Sequence, residues 1–274
     1  MARDLERIRN YCLMDDVFMS ECLKDIPCVE LVLKIILQRD VRVTEVRTQE
    51  VMRSWRRGAQ LDVFATDEED DRYNVEVQRK SEGAALRRAR YHISLMDTYA
   101  LYAGEDFDEL RDNYVIFITE RDVLKGGLPL YTIDRVIRET GQRLEDGAHI
   151  LYVNGAMRDA DTPLGTLMHD FFCKDPDQMH YRVLADRTRY FKENEEGIRE
   201  MSSASEELRE EGRREGEKRG RKEGRKEGLK EGLKEGKMEA AQRMLQAGVL
   251  ALEKIAQYSG LPLLRVQELA WQAK

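Results

Sequence analysis

Cysteine is scarce: Cys12, Cys22, Cys28 and Cys173 are the four in 274 residues, and no two form a Cys-x-x-Cys pair. A disulfide-stapled framework and a clustered-thiolate metal site are thereby excluded. No signal-like apolar segment precedes them, so free thiols in a reducing cytosol and a cytoplasmic location are expected. Histidine is equally sparse, with four. His169 and Cys173 share a helical face, but no further ligand joins them in the sequence, so packing is a better reading than zinc. No apolar run approaches membrane-spanning length, and no membrane partner is expected. An excess of basic charge is missing too, since 46 Lys and Arg stand against 53 Asp and Glu for a net charge of −7. Bulk attraction to nucleic-acid phosphate is therefore excluded, and a local basic patch must supply any such contact.

What is present is enough for one sizeable core with appendages. A hydrophobic fraction of 41% permits packing, while 36% charged residues, well above the usual quarter, points to a long solvated segment. The chemistry concentrates between residues 61 and 80. Leu61 to Thr66 and Tyr73 to Lys80 alternate apolar and polar residues around the acidic run Asp67 to Asp71, which predicts two strands joined by a solvated turn. The period of two puts Glu76, Gln78 and Lys80 on one face of the second strand. Asp62 lies on the neighbouring strand, so its carboxylate can converge with that of Glu76. Two carboxylates so close repel unless they share a proton or a cation, and oxygen donors without nearby His or Cys favour Mg²⁺ or Mn²⁺. Acidic residues on a wet sheet face are the plainer explanation of the same spacing.

Asp62, thirteen intervening residues and then Glu76-Val77-Gln78 resemble the PD-(D/E)XK nuclease signature in its Glu-x-Gln form. That form is seen in the Rpn family of recombination-promoting nucleases, also described as PD-(D/E)XK nuclease family transposases. Asp16-Val-Phe18 resembles the family's early Asp-x-x-Phe-like segment, and Arg88-Ala-Arg-Tyr91 resembles its Arg-x-x-Tyr helix. The Glu-Gly repeat with its small C-terminal cap is similar to the family's tails. The resemblance covers most of the chain, with the first hundred or so residues the most specific. Leu61 stands where the family name has Pro, and Gln78 where it has Lys. The resemblance implies catalytic roles for Asp62, Glu76 and Gln78, with Mg²⁺ or Mn²⁺ held by Asp62, Glu76 and the Val77 carbonyl. It also implies DNA as the partner and a further acidic ligand from an early helix. Glu30 is the candidate for that ligand and Asp16 its rival; the plainer reading of Glu30 is a first-turn charge favoured by the helix dipole.

Taken in order, residues 4 to 24 carry apolar positions at helical spacing, and a second helix follows Pro27 and ends near Arg39. Val41 to Glu50 reads as an edge strand. Trp55, Arg56 and Arg57 form a loop that either is simply solvated or meets phosphate. After Lys80 a helix is expected up to Gly104, with Ala85, Leu86, Ala89, His92, Ile93, Met96, Tyr99 and Ala100 as its buried stripe. Arg87, Arg88 and Arg90 lie on its other face. Together with Arg79 and Lys80 they are the expected DNA contacts, a wet helix face being the alternative. Tyr114 to Thr119 reads as a buried central strand, Leu128 to Val136 and His149 to Val153 as two more, and Leu164 to Cys173 as a helix.

From Glu211 to Gly236 a glycine recurs every fourth position among Glu and Lys, giving a marginal charged helix or a flexible tether. Beyond it, Ile255-Ala256 to Gly260 to Val266 has helix-turn-helix spacing. The second helix offers Arg265, Gln267, Gln272 and Lys274 against four apolar residues, so a packing or oligomerising cap is preferred over a reader of bases.

The expected fold class is α/β, a restriction-endonuclease-like core with a mixed sheet flanked by helices. The expected domains are 1–200 for the nuclease-like core, 201–237 for the repeat arm and 238–274 for the cap. The expected function is a Mg²⁺-dependent DNA endonuclease linked to recombination or transposition of mobile DNA, assembled as a homo-oligomer through arm and cap. The alternative is a degenerate nuclease fold that serves as an oligomeric DNA- or protein-binding regulatory module.

Overall fold

The computed structural model describes residues 2–54 and 57–272. Trp55, Arg56 and Lys274 lie outside them. The chain divides into two compact units, one up to Glu207 and one from Leu208 onward.

The first unit is built on a mixed six-stranded sheet: β1 (Val43–Met52), β2 (Ala59–Asp67), β3 (Arg72–Gln78), β4 (Asn113–Thr119), β5 (Leu130–Ile133) and β6 (Ala148–Asn154), in the order β1-β2-β3-β4-β6-β5. The first three strands form an antiparallel meander, β3, β4 and β6 run parallel, and β5 returns antiparallel at the far edge. Central β4 is covered on both faces, which is why Val115-Ile-Phe-Ile118 reads as an unbroken apolar run and is wholly buried. Ile116 and Ile118 join one core with residues of α2 (Asp16–Cys22), α3 (Ile26–Leu37), α5 (Pro163–Phe172) and α6 (Arg182–Glu193). Val115 and Phe117 face the other way and join Phe64, Tyr152 and the Ala89, Ile93 and Met96 stripe of α4 (Leu86–Thr98). The result is the restriction-endonuclease-like α/β core expected.

Several local expectations are corrected. Residues 4–24 are not one helix: α1 (Ala2–Asn10) stops, and α2 begins only at Asp16. In the break the Cys12 N–H donates to Asp15 Oδ2 at 3.0 Å and the Met14 N–H to the Phe171 carbonyl at 3.1 Å, bonds that a continuous helix would forbid. The buried Lys192 ammonium of α6 closes the junction by donating to the carbonyls of Arg9, Tyr11 and Lys174. The acidic turn is not merely solvated either. Buried Asp67 accepts the N–H groups of Glu69 and Asp71 and the Tyr73 hydroxyl, so its carboxylate organises the hairpin. The α4 helix ends at Thr98, and Leu86 and Tyr99 stay exposed rather than joining its buried stripe.

Helix α7 (Glu195–Ala247) contains the whole glycine repeat. Its Met201 is fully buried in the first unit's core. In the second unit the end of α7 packs with α8 (Leu252–Ser259) and α9 (Leu263–Gln272) around Ala241, Ile255, Val266 and Leu269. Gly260, at φ +64°, makes the turn between α8 and α9. No helix among the described residues is long and apolar enough to cross a membrane.

Candidate active site

The pairs Val63↔Val75 and Phe64↔Asn74 set the register of β2 on β3, and one step further along it stand Asp62 and Glu76. On the other side, Thr48↔Val63 and Glu50↔Leu61 bracket Gln49 against Asp62, while Glu76 pairs with Phe117 of β4. A row across the sheet thus holds Gln49, Asp62, Glu76 and Phe117. Glu76 is fully buried and Asp62 is 8% exposed. Asp16, at the start of α2, is the third acid, and its charge and those of Asp62 and Glu76 act on one another.

Each acid has a different environment. Glu76 is gripped: Asn74 Nδ2 donates to its Oε1 at 3.0 Å, His92 Nδ1 lies 2.8 Å from the same oxygen, and Arg88 Nη2 lies 2.8 Å from Oε2. That Oε2 has no well-directed hydrogen bond, so the Arg88 contact is ionic. Arg88 is itself tied to the Gly83 carbonyl at 3.0 Å and lies over the Phe117 ring. Asp62 has less support. Its Oδ2 is buried without a hydrogen-bond partner among the described residues, while the charge of Arg88 and a backbone hydrogen bond from Val77 ease its ionisation. Burial, then the charges of Glu76 and Asp16, drive its pKa well above the ordinary carboxylate range. Asp16 keeps an exposed flank, but its carboxyl group is crowded, and the partial desolvation followed by the charge of Glu76 raises its pKa. Gln49 opposes that rise by donating to Asp16 Oδ1 at 3.1 Å. Gln49 sits at φ +56°, a left-handed backbone conformation uncommon outside glycine.

Three carboxyl groups against one guanidinium leave a deficit of positive charge and an orphaned buried oxygen. A hard divalent cation such as Mg²⁺ or Mn²⁺ suits a cluster of carboxylate oxygens of this kind.

The other expected residues scatter. Gln78 follows Glu76 on the same face, and its carboxamide rests against Gly83 so closely that a side chain at 83 would collide with it. Glu30 Oε1 accepts the Val43 N–H at 2.9 Å and anchors the start of β1, whereas the charge of its rival Asp16 acts on Asp62. Arg79 is turned back on the chain, pairing with Asp15 at 3.1 Å and donating to the Met14 carbonyl. Arg88 points inward to Glu76. Lys80, Arg87 and Arg90 are exposed. Sequence reasoning missed three members: Gln49, Asn74 and His92. Asn74 was legible as the residue two before Glu76 on the same strand face, and His92 as a polar residue in an otherwise apolar stripe.

A mixed sheet carrying buried acids on adjacent strands beside a helix that grips one of them defines a nuclease-type α/β fold. The family model described as PD-(D/E)XK nuclease family transposase matches residues 29–221, and the chain belongs to that family, one of nucleases linked to transposition. No curated protein and no solved structure matches the chain significantly.

Proposed function

We propose that the protein is a divalent-metal-dependent DNA endonuclease acting in recombination or transposition of mobile DNA in the cytoplasm. The observation that carries this reading is the buried, partnerless Asp62 oxygen set between two further acids. Asp62, Glu76, the Val77 carbonyl and Asp16 would hold Mg²⁺ or Mn²⁺. The ion supplies Lewis-acid polarisation of the phosphodiester and lowers the pKa of water. Asn74 and His92 fix the orientation of Glu76, and Gln78 would orient the attacking water in place of the family's usual Lys. Exposed Lys80, Arg87 and Arg90 would neutralise backbone phosphates, joined by Arg88 if a bound cation displaces it from Glu76. Arm and cap would bring copies of the chain together.

A second reading rests on the Arg88 contact. Because Arg88 already meets the Glu76 charge, a degenerate core could persist without metal as an oligomeric DNA- or protein-binding module. Nicking of supercoiled plasmid separates the two. With Mg²⁺ or Mn²⁺ the wild type should nick, and Glu76→Ala should lose at least ~100-fold in rate, beyond the ~10–100-fold typical of outer-sphere partners. Gln78→Ala reports whether that side chain is needed. DNA binding without cleavage in every variant favours the degenerate module.

A further inference from the structure

A second constellation lies where α5 ends and the chain returns into α6. His169 and Asp170 come from the last turn of α5, and His180 stands two residues before α6 begins. One donor atom from each lies within 4.8 Å of the other two. His169 Nδ1 is 3.1 Å and His180 Nδ1 3.2 Å from the same oxygen, Asp170 Oδ1. A tetrahedral ion with bonds of ~2.0–2.1 Å leaves its ligand atoms about 3.3 Å apart, so the spacing suits one.

Asp170 is fully buried and its carboxylate is already aimed. The His180 N–H donates to both oxygens, at 2.9 and 3.0 Å, and the Tyr181 N–H to Oδ2 at 2.8 Å. Backbone donors of this kind preset a metal-binding carboxylate. They also complete Asp170's structural task of anchoring the entry to α6, and that task needs neither imidazole. The two imidazole side chains are 39% and 47% exposed, so the outer side of the cluster is open to water. Two imidazoles, one carboxylate and an open position are the ligand pattern of Zn²⁺ and its borderline neighbours, unlike the all-oxygen acidic site. The expectation that His169 serves packing rested on the lack of a further ligand beside His169 and Cys173 in the sequence; the fold brings His180 to His169 and Asp170, while the Cys173 thiol donates to the Asp175 carbonyl at 3.1 Å.

We propose that His169, Asp170 and His180 form a site for a Zn²⁺-class ion, which pins the end of α5 to the start of α6. It shares no residue with the acidic centre and does not depend on nuclease activity. The test uses untagged, full-length, chelator-treated protein titrated with Co²⁺, followed by its visible tetrahedral absorption and then by displacement with Zn²⁺. Wild type and Asp62→Asn should each bind one Co²⁺ with that absorption, bleached by Zn²⁺, and Zn²⁺ should raise the melting temperature of both. His169→Gln and His180→Gln, checked by circular dichroism for retained fold, should each lose at least ~10-fold in affinity. His169→Gln leaves the His180–Tyr181 backbone contacts untouched, so it decides the matter should His180→Gln misfold. No tetrahedral Co²⁺ spectrum in wild type, or the same spectrum and affinity in folded His variants, overturns the proposal.

Discussion

Among the described residues, Arg88 brings a guanidinium directly against Glu76 and supplies positive charge to the acidic cluster. Removing one partner of a buried pair leaves the other uncompensated, at ~3–5 kcal/mol when both are enclosed. Here the Arg88 side chain is 35% exposed, and we expect Arg88→Met to cost ~2 kcal/mol in metal-free protein by chemical denaturation. Saturating Mg²⁺ should recover most of that loss, because the ion takes over the neutralising charge. His92 acts differently. It touches Glu76 but is no ligand in this account, so His92→Gln should keep the fold and weaken Mn²⁺ affinity ~10–100-fold in calorimetric titration. An unchanged affinity would reduce His92 to packing.

Among the elements, period-two alternation made the Asp62–Glu76 pairing legible, because neighbouring antiparallel strands place facing residues on one side. The continuous apolar run of β4 announced a central strand for the same kind of reason. What the sequence did not disclose depended on contacts between distant elements. His92 meets Glu76 only once α4 folds back over β3, and Arg88, four residues before His92 and therefore on the same helix face, turns inward with it. Glu30 sits in a helix of the expected kind, but its carboxylate serves β1. The repeat shows the limit of propensity, since α7 continues through the repeat's seven glycines, each of which costs about 1 kcal/mol relative to alanine. Nothing lies within 4 Å of where a Cβ at Gly224 or Gly228 would stand. Gly224→Ala with Gly228→Ala should therefore stabilise the arm by ~2 kcal/mol, visible as later loss of helical ellipticity on heating. Loss of assembly in this variant would instead assign the bare glycine surface to contact between copies.

For the whole molecule, charge sets the terms of DNA binding. A net charge of −7 provides no general attraction, so affinity must come from a few residues such as Lys80, Arg87 and Arg90. Replacing Arg87 and Arg90 together should weaken binding uniformly across sequences and reduce the slope of log affinity against log salt by roughly 2. Burial of the acids, with their mutual repulsion, sets how stability depends on pH. In the folded chain Asp62 holds its proton to higher pH than its ordinary value of about 3.9 in the unfolded chain. Between those two values the folded state binds more protons, so metal-free stability falls as pH rises through that window and stays lower above it. The most direct measurement is thermal unfolding of wild type and Asp62→Asn from acid to neutral pH, with and without Mg²⁺. Metal-free Asp62→Asn should melt a few degrees above wild type at neutral pH, since about 1 kcal/mol moves a domain of this size by ~2–4 °C. Mg²⁺ should then raise the wild type and leave the variant unmoved. Indifference to Mg²⁺ in both proteins, with Asp62→Asn no more stable than wild type, would contradict a cation site built on these acids.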